Sequence, residues 1–407
     1  MTGTRRSVSA LLTRGSGRSY GRPGLVVVIV GAVLAVTFAT GYTTTRALTG
    51  DDSAWLRKGV TIAHINGPSA RFDAAVSDQP LRLASSASDP VQVVQDPDGQ
   101  VYTADRATRK IFRMDLATMT PLPGPSGTGV LAAGSTVYIV DRTLRTLTPV
   151  DQQLHPIGRP IPLPAPIESE TIAGDGTVYI GQNDGAVTIV KARRPQTVQV
   201  APKGDPLIVT VVGTRAVAVD PQNGTVYSLD GGRPSRIPLP GPAGGPIQVG
   251  PNQPDGPLWL TQGNVLARVD LSNGQTRSAP LPDRHHFGVP VVNGGRVYVP
   301  DDSAGQALVL DATTLAPAPP IAVPPGAPGA TDIELLAKDH QVWIDNPTSR
   351  DGKVVDQNGV RTVDKGTGDQ VVDPNATPAP PTPAPPSAAP APASSPVAGV
   401  APTPAPT

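Results

Sequence analysis

The sequence predicts an all-β protein: a β-propeller of eight quasi-repeats preceded by one N-terminal transmembrane helix. Three observations carry this. First, Trp55, Tyr102, Tyr138, Tyr179, Trp259, Tyr298 and Trp343 recur at one place in a repeating unit, with Val217 in the remaining slot, at intervals of 47, 36, 41, 38, 42, 39 and 45 residues. A period near 40 residues with strand patterning in each unit is that of a propeller. Second, the slots lie in short β-branched and aromatic runs, such as Val101–Asp105, Thr136–Asp141 and Arg296–Asp301, which suits strands covered on both faces. Third, glycine and proline interrupt the apolar runs every few residues, which disfavours helices.

The elements follow in chain order. Residues 1–22 carry five arginines (Arg5, Arg6, Arg14, Arg18, Arg22) and no acid, and residues 23–45 carry no charge. About 20 apolar residues span a bilayer, so 23–45 reads as a signal-anchor helix and 1–22 as a basic cytoplasmic tail. The domain beyond is then exported. A cleaved signal peptide is the competing reading, but Ala39-Thr40-Gly41 before the bulky Tyr42 is a loose match to a cleavage site. Residues 46–52 form a linker, and 53–366 form the propeller.

Within each unit the aromatic slot marks the second strand, and the Asp or Asn after it suits a tight turn by bonding its own backbone. A second landmark closes the third strand: Asn66, Asp115, Asp151, Lys191, Asp230, Asp270, Asp311 and Asp356. Runs upstream of the slots, such as Val91–Val94, Gly129–Ala133, Pro206–Val212 and Ile333–Ala337, supply inner strands. The fourth strand is proline-rich, as in Pro121-Leu122-Pro123, Pro162-Leu163-Pro164, Pro238-Leu239-Pro240 and Pro280-Leu281-Pro282. Proline cannot donate to a ladder, which places it on the blade's outer edge and blocks edge-to-edge association. The first unit lacks an inner strand. Eight blades is the first reading; seven, with the first unit completing the last blade, is the alternative. Residues 367–407 form a tail rich in Pro, Ala and Thr, uncharged from 374 onward, and such a segment is extended and buries no core.

Composition bounds the chemistry. The chain has no cysteine, which removes disulfides, thiolate zinc sites and a cysteine nucleophile. Residues 46–373 hold 28 basic and 33 acidic residues, net −5, which is no nucleic-acid footprint. Phosphate-loop, nucleophile-elbow and His-Glu-x-x-His patterns do not occur. With only three glutamates and five histidines, general acid–base groups converging on one pocket are unexpected.

Asp96-Pro97-Asp98-Gly99 lacks the downstream glutamate of a calcium loop and reads as a turn, as does Gly174-Asp175-Gly176-Thr177. Asp301-Asp302 near a blade end is a minor calcium candidate. An active site has to break the repeat, because catalysis happens at one place. The residues that break it are Glu168 and Glu170, before an inner strand, and His285 and His286 in one loop. These four are the candidate ligand-site residues. Adjacent histidines on an extended chain point apart, so no metal or cofactor is expected.

Two resemblances add to this. Ser53-Ala54-Trp55-Leu56 with Val60–Gly67, and Val342–Pro347 with Val354–Gly359 and Val363-Asp364-Lys365, together with the anchor, resemble the N-terminal anchor-plus-propeller half of actinobacterial fibronectin type III or Ig-like domain-containing membrane proteins. That implies a membrane-held propeller without catalytic residues. In those proteins adhesive domains follow the propeller; here the proline-rich tail stands in that place. Gly256–Thr261 with Leu266–Asp270 is similar to blades of streptogramin-lyase-like propellers, which implies histidine and glutamate around a divalent metal at the channel mouth; this blade contains neither residue type. The expected function is a binding or scaffolding platform at the plasma membrane, for a protein or cell-wall glycan and not an enzyme. A metal-dependent lyase or lactonase is the alternative.

Overall fold

The computed structural model describes residues 54–58, 61–66, 71–76, 91–96, 99–115, 120–230, 235–250, 252–326, 332–338, 340–365 and 371–372. The expected transmembrane helix (23–45) and the proline-rich tail lie outside them, and no helix among the described residues is long and apolar enough to cross a membrane. The described residues are all-β, with strands in seven sheets. By hydrogen bonding the propeller therefore has seven blades, here numbered one to seven: 91–123, 129–162, 167–199, 208–238, 247–280, 291–322 and 334–364.

Each blade is an antiparallel meander running from the inner to the outer strand. In blade one Val91–Gln95 pairs with Val101–Asp105, which pairs with Lys110–Asp115, which pairs with Thr120–Pro123. The aromatic slots fall on second strands, as the spacing requires. Tyr102, Tyr138, Trp259, Tyr298 and Trp343 are 0–4% exposed, and Val217 is fully buried. Tyr179 departs from the expectation of a buried slot: it is half-buried and packs beside the cluster of Val187, Leu207, Val209 and Ala218. In blade three the following residue is Ile180, fully buried, and the phenol stands toward the blade-four side.

The blades adhere through apolar faces. Tyr102, Ala104 and Ile111 of blade one pack on Val130, Val137 and Ile139 of blade two, and the pattern repeats around the ring. Close approach matters at Gly181. A Cβ there would lie 2.2 Å from the Leu207 carbonyl oxygen of the next blade, so only glycine fits. Polar side chains tie blades one, three, four and five to the next blade at or beside its inner strand. Gln92 bonds both the N–H and C=O of Val130. Ser169 donates to Leu207 O and accepts from Val209 N, Thr210 donates to Gly250 O, and Thr261 donates to Gly288 O. These bonds satisfy strand-edge groups that face away from bulk water.

The outer strands are proline-rich as expected; in blade one Pro121-Leu122-Pro123 lies within the strand with Leu122 exposed, whereas in blades two, four and five the Pro-Leu-Pro begins at the strand's last residue. The strands Ser235–Pro238 and Thr276–Pro280 stop on the first proline of each Pro-Leu-Pro. The leucine between the prolines turns inward, and its N–H closes on the neighbouring turn: Leu163 on Arg145 O, Leu239 on Gly224 O, Leu281 on Asn264 O.

The first unit, Ala54–Lys58, Thr61–Asn66 and Arg71–Val76, does not form a separate sheet. It joins the sheet of blade seven through Arg71 opposite Asp364, and Val371–Val372 pairs in parallel with its last strand. Its side chains face two ways. Trp55 and Ile62 pack on Val91, Val101 and Phe112 of blade one, while Ala54, Leu56 and Ile65 pack on Leu336, Trp343 and Val354 of blade seven.

Candidate functional site

In a meander the turn between second and third strands and the link from outer strand to next inner strand lie at the same end. That end collects all four residues that break the repeat. Its frame is a ring of seven equivalent polar residues closing the second strands: Asp105, Asp141, Gln182, Asp220, Gln262, Asp301 and Asp345, each 0–3% exposed. Four of the aspartates cap their own turn, accepting from Thr108 N at 3.0 Å, Leu144 N at 2.8 Å, Asn223 N at 3.0 Å and Ala304 N at 3.1 Å. The expected turn role of these residues is met.

Glu168 and Glu170 stand on the inner strand Ile167–Ile172 of blade three. Glu170 forms an ion pair with Arg142, whose side chain is 18% exposed. Arg142 belongs to the turn that Asp141 caps, and it also donates to the carbonyl oxygen of Glu168 at 2.9 Å. Glu168 itself has no side-chain hydrogen bond among the described residues. Burial pushes its carboxyl above the usual range, Arg142 opposes this and Glu170 adds to it. Arg106 occupies in blade one the place that Arg142 holds in blade two. It is half-buried and has no hydrogen-bonded or ion-paired partner among the described residues. Desolvation, then the charge of Arg142, lowers its pKa to about 10, with Glu170 pulling the other way.

His285 and His286 lie in the link to blade six. The Nδ1 of His285 is 2.9 Å from both carboxylate oxygens of Asp301, and the Nδ1 of His286 is 3.0 Å from Asp302 Oδ2. A carboxylate only accepts, so each Nδ1 carries the proton. The bond to Asp302 raises the pKa of His286 against the opposing effect of burial. Burial dominates on Asp302 and raises its carboxyl, although His286 and the Ile333 N–H pull it down. The Asp301-Asp302 pair considered for calcium is thus engaged by two imidazoles.

The glutamates and the histidines are not brought together. Glu170 is bound within blades two and three, and the histidines are bound within blade six and its junction with blade seven. Among the described residues no three His, Asp or Glu side chains are placed to hold one metal ion. Asp96 and Gly174–Thr177 are turns: Gln100 N donates to Asp96 Oδ1 at 2.8 Å, and Thr177 N donates to Asp175 Oδ1 at 2.9 Å.

Arg106 and Arg142 escaped the sequence reading. The available signal was Asp-Arg at the same turn position of two consecutive units, 105–106 and 141–142, where the other blades carry Asn183, Pro221, Gly263, Asp302 and Asn346.

Comparison with known proteins bears on the fold alone. No family model matches the chain, and no curated protein matches it. Solved structures do. BamB from Moraxella catarrhalis aligns over 79% of this chain and 96% of its own, with 15% identity and a TM-score of 0.56. The dihydro-heme d1 dehydrogenase NirN aligns over 77% of this chain and 72% of its own, with 16% identity and a TM-score of 0.59. Virginiamycin B lyase from Staphylococcus aureus aligns over 65% of this chain and 94% of its own, with 13% identity and a TM-score of 0.53.

Proposed function

We propose that the protein is a single-pass plasma-membrane protein whose extracytoplasmic propeller is a binding or scaffolding platform for a protein or cell-envelope ligand. The anchor is 23–45, with the arginine-rich N-terminus in the cytoplasm.

The observation that carries the platform reading is the dispersal of the repeat-breaking residues. Glu170, His285 and His286 each have a structural partner: Arg142 on blade two for the glutamate, and Asp301 and Asp302 on blade six for the histidines. A rigid ring whose loops vary and whose chemistry is distributed suits recognition better than catalysis. The second reading is a metal-dependent lyase or lactonase. It draws support from the fold likeness to virginiamycin B lyase and from the two histidines, because an imidazole whose Nδ1 is held by a carboxylate presents its other nitrogen as a ligand.

Metal analysis of the purified protein, with photo-crosslinking from both ends of the channel, separates the two readings. The platform gives substoichiometric metal and a crosslinked partner at the end that holds Arg142 and His286. A stoichiometric divalent metal that is lost in both His285→Ala and Glu170→Ala overturns it in favour of the enzyme.

A further inference from the structure

Blade seven breaks the repeat at three positions that its sheet brings together. The first is Lys365. In blades two, four, five and six the residue just past the outer strand is a buried apolar one, Leu163, Leu239, Leu281 or Val323, whose N–H closes on the neighbouring turn. Lys365 makes the same backbone bond, to Arg350 O, so a buried lysine stands where the repeat puts leucine or valine. The second is Asp345. In blades one, two, four and six the aspartate that ends the second strand caps its own turn. In blade seven Asn346 does this, its Oδ1 accepting from Thr348 N at 3.0 Å and from Thr348 Oγ1 at 2.8 Å. The Asp345 carboxylate instead meets Lys365 Nζ at 2.7 Å. The third is Glu334, directly opposite Asp345 on the inner strand. The corresponding residues of blades one, three and five are Val91, Ile167 and Ile247.

The three residues share one face of the sheet. Directly opposed residues of an antiparallel pair lie on the same side, with Cβ atoms about 5 Å apart, and residues two apart on a strand return to that side. Glu334 with Leu336, Asp345 with Trp343, and Lys365 with Val363 are therefore on one side, the side that packs against Ala54, Leu56 and Ile65 of the first unit. Gly352 makes room there: a Cβ on it would lie 3.3 Å from Asp345 Oδ1. The arginines of these strands are taken elsewhere, Arg350 by Asp364 and Arg361 by Asp356. A buried ion pair gains little stability over apolar side chains of similar size, so stability alone does not account for a lysine and an aspartate at this place. An apolar wall solvates ions poorly, which brings the neutral amine–carboxyl form of the pair within reach. An amine nitrogen is then a nucleophile, held against an acyl carbon that lies one C–O bond beyond the 2.7 Å contact. Such fixed proximity makes a reaction between two groups effectively unimolecular.

We propose that Lys365 and Asp345 condense to an intramolecular isopeptide bond, with Glu334 carrying a proton. The ammonium proton passes first to the Asp345 carboxylate. The Nζ lone pair then attacks Cγ and the C–N bond forms. Glu334 takes a second proton from the nitrogen and delivers it to a hydroxyl of the tetrahedral carbon. The C–O bond breaks and that oxygen leaves as water. The products are one amide and one water; nothing is oxidised or reduced, and no co-reactant is consumed. Before it condenses, the pair is an ion pair with Asn346 O as the second acceptor. The amide joins the end of the outer strand to the end of the second strand. A pull on the chain beyond 365 then falls on covalent bonds and not on the ladder of Gly359–Asp364. The inference goes beyond the platform reading and holds whatever the ring binds.

The test is mass spectrometry of the full chain, denatured in acid at intervals while the folded protein is incubated. The mass should fall by that of one water. Trypsin should then release residues 339–350 joined to a peptide that starts at Thr362 and is not cut after Lys365. Lys365→Arg keeps the charge and forms no such amide, so its mass should stay full. Glu334→Gln should keep the ion pair but lose the condensation. Thermal melts of each variant show that it folds. A succinimide of Asp345 with the Asn346 nitrogen also loses one water, but it leaves residues 339–350 as a separate peptide. Full mass of the folded wild-type chain after prolonged incubation, loss of water without the joined peptide, loss of water that persists in Lys365→Arg, or condensation of a folded Glu334→Gln protein at the wild-type rate overturns the proposal. None of these outcomes touches the metal or photo-crosslinking results above, so this inference and the platform reading fail separately.

Discussion

The Nζ of Lys365 lies 2.7 Å from Oδ1 of Asp345, and both side chains are sealed from solvent, 0% and 2% exposed. The ammonium also donates to Asn346 O at 2.8 Å. Lys365 ends the outer strand of blade seven and Asp345 ends its second strand, so the pair clamps the blade's two ends of chain at one point.

Breaking this pair from one side leaves a buried charge behind. Lys365→Met should therefore cost about 3–5 kcal/mol, whereas the double variant Asp345→Leu/Lys365→Met should recover most of the loss. Urea unfolding of the single and double variants checks this. A Lys365→Met protein with an unchanged midpoint contradicts the clamp.

The aromatic slots are core between blades. Tyr298 is 4% exposed and packs with Ala307, Val309, Val342 and Ile344 across the junction of blades six and seven. Tyr298→Ala should cost about 3–5 kcal/mol, as for other large-to-small core changes. Tyr179→Ala, at a half-buried slot, should cost clearly less. Equal melting temperatures for the two variants would remove the distinction drawn between these slots.

Gly181 is required by the approach of blade three to blade four. Gly181→Ala drives a Cβ into the Leu207 carbonyl and should cost about 1–3 kcal/mol by overpacking. Gly204→Ala, with open space at its Cβ but a φ of +98°, acts only through backbone strain. Differential scanning calorimetry of the two variants compares these causes, and a larger loss at Gly181 is the expected result.

Stability should fall with pH on the alkaline side of the histidines. His286 has a folded pKa above its ordinary 6.5. Its contribution is fully present below that value and is lost as pH rises through the folded pKa. Asp302, raised above 3.8 by burial, acts in the same direction from lower pH. The turn carboxylates Asp151, Asp175, Asp270 and Asp311 have lowered pKa values, so their contribution is present above 3.8 and is lost as pH falls below it. The melting temperature should therefore peak in mildly acid solution, between the two limits. In His286→Gln the decline from pH 6 to 8 should flatten; an unchanged profile would exclude the histidine as its source.

Residues 24–45 are expected to stay as an uncleaved helix, with everything after 45 outside the cytoplasm. Protease added to intact spheroplasts should remove the propeller. Protection of the propeller, or a mature N-terminus near Tyr42, would sink the anchor model.

The chain by itself determined the propeller. The recurring aromatic slots place a buried strand every 36–47 residues, and the turn aspartates and outer prolines punctuate each unit, because strand periodicity, turn chemistry and edge protection are all local properties. Gln92, Ser169 and Gly181 were beyond such reading: their roles lie in the neighbouring blade, tens of residues away. The same holds for the first unit. Local pattern shows three strands without an inner one, but only tertiary packing puts Trp55 on blade one and Leu56 on blade seven. At the site, Glu168, Glu170, His285 and His286 were legible as residues that break the repeat. That Glu170 finds Arg142 and that His286 finds Asp302 was decided by the ring. Ion pairs form between side chains that the closed ring brings within a few ångströms, and sequence separation carries no record of that distance.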